Sequence, residues 1–254
     1  MDLVKKLEDF KYEYIFNKIG KCQVLNNYIC CSVDIDKLKK YPTYYKFDNS
    51  NQSIIIMLDE LSKKVNKSIV FLFRSIDFEN LNINIVSKDV NVTYNFFDCV
   101  FRKNVNIDAF DIQMTNNHYR GLDNSKVINL GGINTTSISI KKQNIIDYSN
   151  DKILLTINVN YGNVCIDDSN INVKDLIINN TGKCNLVNIN YSNITASRII
   201  INSNSLDTDN SSISTKTFVN NGNKTINNNY GILTFHKKIN SFGKHLCKIK
   251  VRGN

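Results

Sequence analysis

The sequence contains no tryptophan and only one proline among its 254 residues. Without Trp, the chain has no indole ring to stack on a sugar. A single proline is compatible with many strands, because proline cannot donate the backbone hydrogen bond that the interior of a sheet needs. No stretch approaches the ~20 consecutive apolar residues of a membrane-spanning helix, so we expect no membrane span.

We also expect no secretory signal at the beginning of the chain. Its first ten residues, Met-Asp-Leu-Val-Lys-Lys-Leu-Glu-Asp-Phe, are charged and have no apolar centre. The seven cysteines are odd in number, no two have the spacing Cys-x-x-Cys, and the three histidines lie far apart. These features predict a cytoplasmic protein (in the host cytoplasm if a phage or virus encodes it) without disulfides, metal ions or other cofactors.

Acidic residues are missing from the last part of the chain, since no Asp or Glu follows Asp209. Eight basic residues lie after this position and account for nearly all of the net charge of +9. Such segregation predicts a polyanionic partner, which could be a nucleic acid, an acidic face of a protein or an anionic membrane surface. A nucleic acid or a nucleoprotein complex is the leading candidate. A solubilising role without a partner is the alternative. The residues that we expect to bind are Lys237, Lys238, Lys244, Lys248, Lys250 and Arg252.

Asparagine is the most conspicuous residue that is present, with 42 copies. Lysine is also frequent while arginine is scarce, a combination typical of AT-rich coding. This composition indicates a low-GC bacterium, a phage or a large virus. Abundant asparagine therefore does not by itself mark a functional site.

One segment of the chain repeats itself after about 23 residues. Residues 164–179 and 187–202 are identical at half of their aligned positions. In each copy, apolar residues alternate with Asn, Asp, Ser or Thr, and turn-forming triplets such as Asp-Ser-Asn separate the runs. The alternation predicts short strands with one buried face. The fixed period predicts stacked units that share one core.

Looser copies of the same motif extend the pattern in both directions. The intervals between the first three motifs are longer than those between the last three. The longer intervals predict insertions at corners, at 118–124 and 147–151, and stacked asparagines are expected to form ladders along the column. The motifs begin at Asn104, Ser137, Asn170, Asn193 and Ser212.

Short strands in coils of variable length resemble the right-handed parallel β-helix of the pectin-lyase-like superfamily. The resemblance covers about residues 80–235 and concerns the fold only. It implies a mainly β protein, a parallel β-helix or solenoid, and the different pattern of residues 1–78 adds a small α/β region that caps its N-terminal end. An antiparallel sandwich with Asn-rich turns is the alternative.

The chain divides into three parts on this interpretation. Residues 1–78 form the α/β cap, 79–235 the β-solenoid and 236–254 the basic C-terminal segment. A cap covers the open end of a solenoid and prevents edge-to-edge growth, and an independent binding domain is the alternative for residues 1–78. The elements predicted within it are a helix over 3–15, a strand over 24–33, a second amphipathic helix over 55–65 and a buried strand over 68–73.

One predicted corner insertion carries a candidate binding tip. It contains His118, Tyr119 and Arg120, and loops on rigid scaffolds often carry function. A surface loop without a role is the alternative.

A catalytic site is not expected. Many β-helix proteins resembling this fold cleave acidic polysaccharides, and glycoside hydrolysis needs two carboxylates that flank the bond. Asp167 and Asp168 are the only adjacent acidic pair in the predicted column, but the next unit has Asn190 and Tyr191 at the matching positions. We therefore assign no catalytic residue.

These features favour a non-enzymatic intracellular interaction protein that binds a polyanionic partner through a basic C-terminal face. A phage or viral inhibitor of a host defence nucleoprotein complex fits the size, the composition and the missing catalytic motif. Two alternatives stay open. One is a structural or adhesive β-helix of a phage or cell surface, which predicts an oligomer, and the other is a polysaccharide hydrolase or lyase.

Overall fold

A computed structural model of the chain shows a β-solenoid of about six turns, built mostly of parallel strands. The predicted parallel β-helix is therefore confirmed, and the antiparallel sandwich is wrong. The structure describes all residues except 1–2, 26, 121–125, 147–152, 183–185, 222–225, 230, 240–248 and 253–254, and it describes only the backbone of 3–8, 226–229, 235–239 and 249–252.

Three helices and 24 strands lie within the described residues. The helices are α1 (Leu3–Phe16), α2 (Ile35–Leu38) and α3 (Asp59–Ser62). The strands are β1 (Gly20–Val24), β2 (Tyr28–Val33), β3 (Tyr45–Asp48), β4 (Ser53–Ile56), β5 (Ser68–Arg74), β6 (Asn82–Val86), β7 (Val92–Phe97), β8 (Val100–Phe101), β9 (Val105–Asp108), β10 (Asp111–Thr115), β11 (His118–Tyr119), β12 (Lys126–Leu130), β13 (Ser137–Lys141), β14 (Asn144–Ile146), β15 (Ile153–Val159), β16 (Asn163–Asp167), β17 (Asn170–Asn180), β18 (Leu186–Asn190), β19 (Asn193–Asn202), β20 (Ser205–Asp209), β21 (Ser212–Asn220), β22 (Ile226–Asn229), β23 (Ile232–Ile239) and β24 (Ile249–Arg252).

Two long sheets run along the column. The first sheet has the order β1-β2-β5-β7-β10-β13-β16-β18-β20-β22-β24, and the second has the order β23-β21-β19-β17-β15-β12-β9-β6-β4-β3. A short third row, β8, β11 and β14, continues into the first part of β17. Each coil in this region therefore passes from the first sheet, through a corner, to the third row and then to the second sheet.

The sequence repeat corresponds to two stacked coils. Val164 pairs with Val187 in the first sheet, and Ile171 pairs with Ile194 on β17 and β19. Each apolar residue of the repeat therefore lies above its own copy and extends one column of the core. The buried members of these columns are Val164, Ile166, Ile171, Val173, Leu176, Ile178, Val187, Ile189, Ile194, Ala196, Ile199 and Ile201.

The long intervals predicted between the earlier motifs are wrong. Ser137 pairs with Asn163 and not with Asn170, which pairs instead with Asn144. The motif at Ser137 belongs to the first sheet, whereas the motif at Asn170 follows the corner, so similar motifs occupy different faces of a coil. The coils are accordingly shorter than predicted. One of the two predicted insertions, at 147–151, lies outside the described residues. The first-sheet positions in register are Asp111, Ser137, Asn163, Leu186 and Ser205.

The predicted asparagine ladder is present on the second sheet. Asn179 Nδ2 donates to Asn158 Oδ1 at 2.8 Å, and Asn202 Nδ2 donates to Asn179 Oδ1 at 2.5 Å. Asn221 extends the ladder by donating to Asn202 Oδ1 at 2.5 Å. Each amide thus bonds the copy of itself in the adjacent coil.

The corner that follows the first sheet has an unusual backbone. Its residues have left-handed φ angles between 46° and 56° although none is glycine. The Asp168 N–H donates to the Asn190 carbonyl of the next coil at 3.1 Å, which illustrates how the turn is tied to its neighbour. The corner residues are Ser75, Asp98, Asn116, Lys142, Asp168, Tyr191 and Asn210.

Buried serines follow three of these corners and form a second ladder. Ser192 Oγ accepts from the Ser169 N–H, and Ser211 Oγ accepts from the Ser192 N–H, both at 3.1 Å. Ser169 Oγ accepts from the Gln143 N–H in the same way. The hydroxyls also donate to backbone carbonyls. The serines therefore satisfy backbone donors that the corner has buried.

The N-terminal end of each sheet is closed by an antiparallel hairpin. β1 pairs with β2, β3 pairs with β4, and α1 packs against β1. These elements form the predicted α/β cap. Parallel pairs β4–β6 and β5–β7 continue both sheets across residue 78. The division of the chain after residues 78 and 235 stays a prediction.

Within the cap, the predicted first helix and buried strand correspond to α1 and β5. The strand predicted over 24–33 is instead the hairpin of β1 and β2. The second helix predicted over 55–65 is wrong, because Ser53–Ile56 is strand β4 and only Asp59–Ser62 is helical. The β-branched side chains of Ile54 and Ile56 are buried in the core, which favours a strand there.

The serine ladder generates a test of stability. Replacing Ser192 by Ala leaves the buried Ser169 N–H without its acceptor, so we expect the free energy of unfolding to fall by about 1–3 kcal/mol. Urea unfolding measures the change. Ser139→Ala, on the outer face of the first sheet, is the matched control and is expected to stay within about 0.5 kcal/mol of the parent. Equal effects of the two substitutions would contradict the role of the ladder.

Candidate functional site

The predicted basic C-terminal residues are divided between the two sheets. Lys237 and Lys238 lie on β23 of the second sheet, whereas Lys250 and Arg252 lie on β24 of the first. Each of the two strands is the last strand at its end of the sheet in the described part of the chain. These four residues therefore lie on two different strands, and their role in binding stays a prediction. Lys244 and Lys248 lie outside the described residues.

Backbone register places these cations in distinct columns. Lys237 pairs with Thr217, which pairs in turn with Arg198 one coil earlier. Lys250 pairs with Asn227, which pairs in turn with Asp207 one coil earlier. Lysine on a terminal strand also discourages the addition of a foreign strand. The position of these residues is thus consistent with protection of a sheet edge as well as with binding.

The predicted binding tip is mostly part of the column. His118 and Tyr119 form β11, which pairs with β8, so the expected insertion loop does not begin at His118. Tyr119 is only 8% exposed and stacks on Phe101 with ring centroids 5.5 Å apart. Burial raises the pKa of Tyr119. Tyr119 is therefore a core residue, and its assignment as a binding residue has no geometric support.

The other two residues of the tip remain at the surface. His118 Nε2 lies 3.3 Å from Asp98 Oδ1, and both side chains are partly exposed. Arg120 is exposed, and its backbone N–H donates to the Phe101 carbonyl at 2.9 Å. This hydrogen bond ties Arg120 to the coil below, which carries a further cation.

Two arginines occupy equivalent positions in adjacent coils. Phe101 pairs with Tyr119, so Arg102 and Arg120 are the next residues on the two paired chains. Arg102 makes a bidentate ion pair, with Nε 3.2 Å from Asp77 Oδ1 and Nη2 2.6 Å from Asp77 Oδ2. This hydrogen bonding, helped by the charge of Arg120, lowers the pKa of Asp77. One carboxylate thus interacts with two guanidinium groups.

A polar cleft of about 440 Å³ lies beside Arg102. Three short segments of successive coils contribute to its wall, together with the first residue of β12. The lining contains three cationic side chains and six side-chain amides but no carboxylate. The lining residues are Asn49, Ser50, Asn51, Gln52, Asn80, Asn82, Arg102, Lys103, Asn104 and Lys126.

Asparagine hydrogen bonds fix the wall of the cleft. Asn82 Nδ2 donates to the Asn51 carbonyl at 2.6 Å, while Asn82 Oδ1 accepts from the Asn104 N–H at 3.2 Å. Asn104 Oδ1 in turn accepts from the Val127 N–H at 2.8 Å. Successive coils are therefore joined by amide side chains, which holds the wall in place.

The cations of the cleft differ in how they are held. Lys126 is 3% exposed, and its ammonium donates to the carbonyl of Arg120, which links the cleft to the second arginine. Arg102 is fixed by Asp77. Lys103 is half-buried. We call Arg102, Lys103, Arg120 and Lys126 the cationic corner.

The acidic pair considered for catalysis does not meet a second carboxylate in the adjacent strands. Asp167 pairs with Lys141 on one side and Asn190 on the other. The next acidic residue in this column is Asp209, two strands away at roughly 9.6 Å. Asp168 is the corner residue with φ 47°. That the chain has no catalytic residue stays a prediction.

The described part of the chain offers no clustered metal ligands. Its residues contain no group of three or more His, Cys, Asp or Glu side chains arranged to hold a metal ion. None of the described helices is long and apolar enough to span a membrane.

Comparison with known proteins finds no matching family model, no matching curated protein and no matching solved structure. The function is therefore inferred from the residues of this chain.

Sequence reasoning identified Arg120 but missed the rest of the cationic corner. A signal was present, because the adjacent cations Arg102 and Lys103 precede Lys126 by about one coil. Side chains separated by one coil lie beside each other in a solenoid. The register errors in this part of the chain concealed that relation.

The Arg102–Asp77 pair predicts a pH-dependent effect on stability. Because the pKa of folded Asp77 is lowered, the pair stabilises the fold above the unfolded aspartate pKa of about 3.9, and this contribution is lost as the pH falls through the lower folded value. Arg102→Gln should therefore be less stable than the parent at pH 7, and the difference should shrink in acid.

Urea unfolding at pH 7 and across the acidic range measures this effect. Lys103→Gln is the control, since no ion pair of Lys103 occurs among the described salt bridges. A difference for Arg102→Gln that is constant with pH would show that the ion pair is not responsible.

Proposed function

We propose that the protein is a non-enzymatic interaction protein that binds a nucleic acid, alone or in a nucleoprotein complex, in the cytoplasm. The observation that carries the proposal is the cationic corner, where four basic side chains of adjacent coils lie in or beside a cleft whose lining has no carboxylate. Phosphate groups are the anions that such a cluster of Arg and Lys side chains binds well.

The construction of the cleft supports binding to a chain of regularly spaced phosphates. Stacked strands lie about 4.8 Å apart, so the backbones of Arg102 and Arg120 are separated by about that distance. Asp77 holds Arg102 in place and neutralises one of the charges. The remaining positive charge attracts phosphates, and the fixed backbone limits the entropy that binding costs.

The basic C-terminal strands supply a second region of contact. Five strand spacings separate β12, which carries Lys126, from β23, which carries Lys237. This corresponds to roughly 24 Å along the column. In a nucleic-acid helix, each strand has one phosphate per about 3.4 Å of helix axis, so about seven nucleotides reach from one region to the other. Long ligands are therefore expected to contact both regions.

The narrower hypothesis of a phage or viral inhibitor of a host defence complex is compatible with this proposal. It rests on the size and composition of the chain, and the cationic corner adds only the chemistry of the partner.

Salt dependence tests the cationic corner. Binding of a 20-nucleotide RNA is expected to weaken as salt rises, because phosphate contacts release counterions. The double variant Lys103→Gln/Arg120→Gln should reduce the slope of log affinity against log salt by about 1.4, the value for two contacts to a single strand. Fluorescence anisotropy measures the slope.

The matched control for this experiment is Lys21→Gln/Lys174→Gln, which removes two exposed lysines outside the cationic corner. Its slope should equal that of the parent. The proposal fails if the parent does not bind nucleic acid, if its affinity is insensitive to salt, or if both double variants behave alike.

Ligand length tests the basic C-terminal strands. Neutralising Lys237, Lys238, Lys244, Lys248, Lys250 and Arg252 together is expected to weaken binding of the 20-nucleotide RNA, which reaches both regions. A trinucleotide is too short to do so, and its affinity, measured by competition, should not change. Equal loss for both ligands would show that the C-terminal cations act other than as a second contact.

A further inference from the structure

The lining of the cleft has a composition that distinguishes between parts of a nucleic acid. Six of its ten side chains are amides, three are cationic and none is aromatic. The nearest exposed aromatic along the chain, Phe47, lies on β3 and is not part of the lining. Proteins that bind the bases of single strands commonly stack them on aromatic rings. The lining of the cleft therefore offers no aromatic ring on which a base could stack, and its one guanidinium, that of Arg102, is engaged by Asp77.

The amides offer hydrogen bonds of a different kind. Each Asn or Gln side chain has two donor hydrogens and an acceptor oxygen. Asn82 uses its amide to join neighbouring coils, but Asn49, Gln52 and Asn80 are exposed at the cleft and have no hydrogen bond from their side chains among those described. Such groups match a hydroxyl, which both donates and accepts, while the neighbouring cations match a phosphate.

The size of the cleft suits one such unit. Its volume of about 440 Å³ lies within the range of about 300–1,000 Å³ that is typical of small-molecule sites. Because Asp77 already neutralises Arg102, Lys103 is the cation of the lining that is free to bind a phosphate, and a sugar attached to that phosphate can reach amides of the same lining. A ribose differs from a deoxyribose there by one hydroxyl.

We infer that the cleft takes a ribose-phosphate unit of single-stranded RNA, and that it recognises the phosphate and the 2′-hydroxyl without recognising the base. This inference rests on the proposed function and specifies its ligand. The 2′-hydroxyl is the group by which a protein distinguishes RNA from DNA. Preference for RNA should therefore be independent of sequence.

The experiment compares three 12-nucleotide ligands, oligouridylate, its 2′-deoxy counterpart oligodeoxyuridylate, and oligoadenylate, at one salt concentration. Oligouridylate should bind about threefold to tenfold more tightly than the deoxy ligand, the effect of about one hydrogen bond to a hydroxyl. Oligoadenylate should bind within about twofold of oligouridylate, since no base is stacked.

The outcomes separate this inference from the proposed function. Equal affinity for the ribose and deoxyribose ligands overturns the inference and leaves nucleic-acid binding intact. A strong preference for one base also overturns it. Failure to bind any of the three ligands overturns the proposed function itself.

A substitution in the wall links the preference to the cleft. Asn80 is exposed and makes no described side-chain hydrogen bond, so Asn80→Ala should fold normally and reduce the ratio of RNA to DNA affinity toward one. Asn163→Ala, at an exposed position of the first sheet, is the matched control and should keep the ratio of the parent. A ratio unchanged by Asn80→Ala, Gln52→Ala and Asn49→Ala in turn would place the recognition of the hydroxyl outside the cleft.

A free ribose phosphate presents the same chemistry as the RNA. Ribose 5-phosphate should therefore compete with oligouridylate more effectively than deoxyribose 5-phosphate, but at far higher concentration than unlabelled RNA. If the free sugar phosphate competes as well as the RNA, mole for mole, the physiological ligand is a small molecule and the assignment to RNA is wrong.

Discussion

The hydrogen bonds at the corner after the first sheet determine the register on which the rest of the molecule depends. A left-handed residue costs on the order of 1–2 kcal/mol when it is not glycine, and residues as bulky as Lys142 and Tyr191 adopt this conformation. The corner persists because the backbone N–H groups of its left-handed residues donate to carbonyls of the next coil. Buried serines add hydrogen bonds between coils, since Ser192 Oγ accepts from the Ser169 N–H. A cost in each coil is thus offset by bonds between coils.

A fixed corner allows the other parts of the coil to vary. The chain between the paired residues Thr93 and Asp111 is shorter than the chain between Asp111 and its next partner, Ser137. The core nevertheless stays continuous, from the stacked rings of Phe73 and Phe96 to the aliphatic column that contains Ile166. The cationic corner lies mostly on connections between strands, where variation in length and side chain does not disturb the core.

The sequence was informative where a local pattern repeated with constant spacing. The match between 164–179 and 187–202 predicted the solenoid, since both copies align coil on coil. The sequence pattern was misleading where similar motifs occupy different faces of a coil, as at Ser137 in the first sheet and Asn170 in the third row. The helix predicted over 55–65 failed because pairing of β4 with β6 overrides helical spacing of apolar residues. The cleft was not predicted because Asn51, Asn82 and Arg102 come together only through the register of successive coils.

The two hairpins of the cap give the column a direction. They reverse the chain at the N-terminal edge of both sheets, so that the parallel order of the coils ends there. Whole coils inserted after the cap would meet the same corner and the same core on either side, whereas a fraction of a coil would exchange inward and outward residues. Gene segments that encode complete coils are therefore the natural unit by which a protein of this kind lengthens or shortens during evolution.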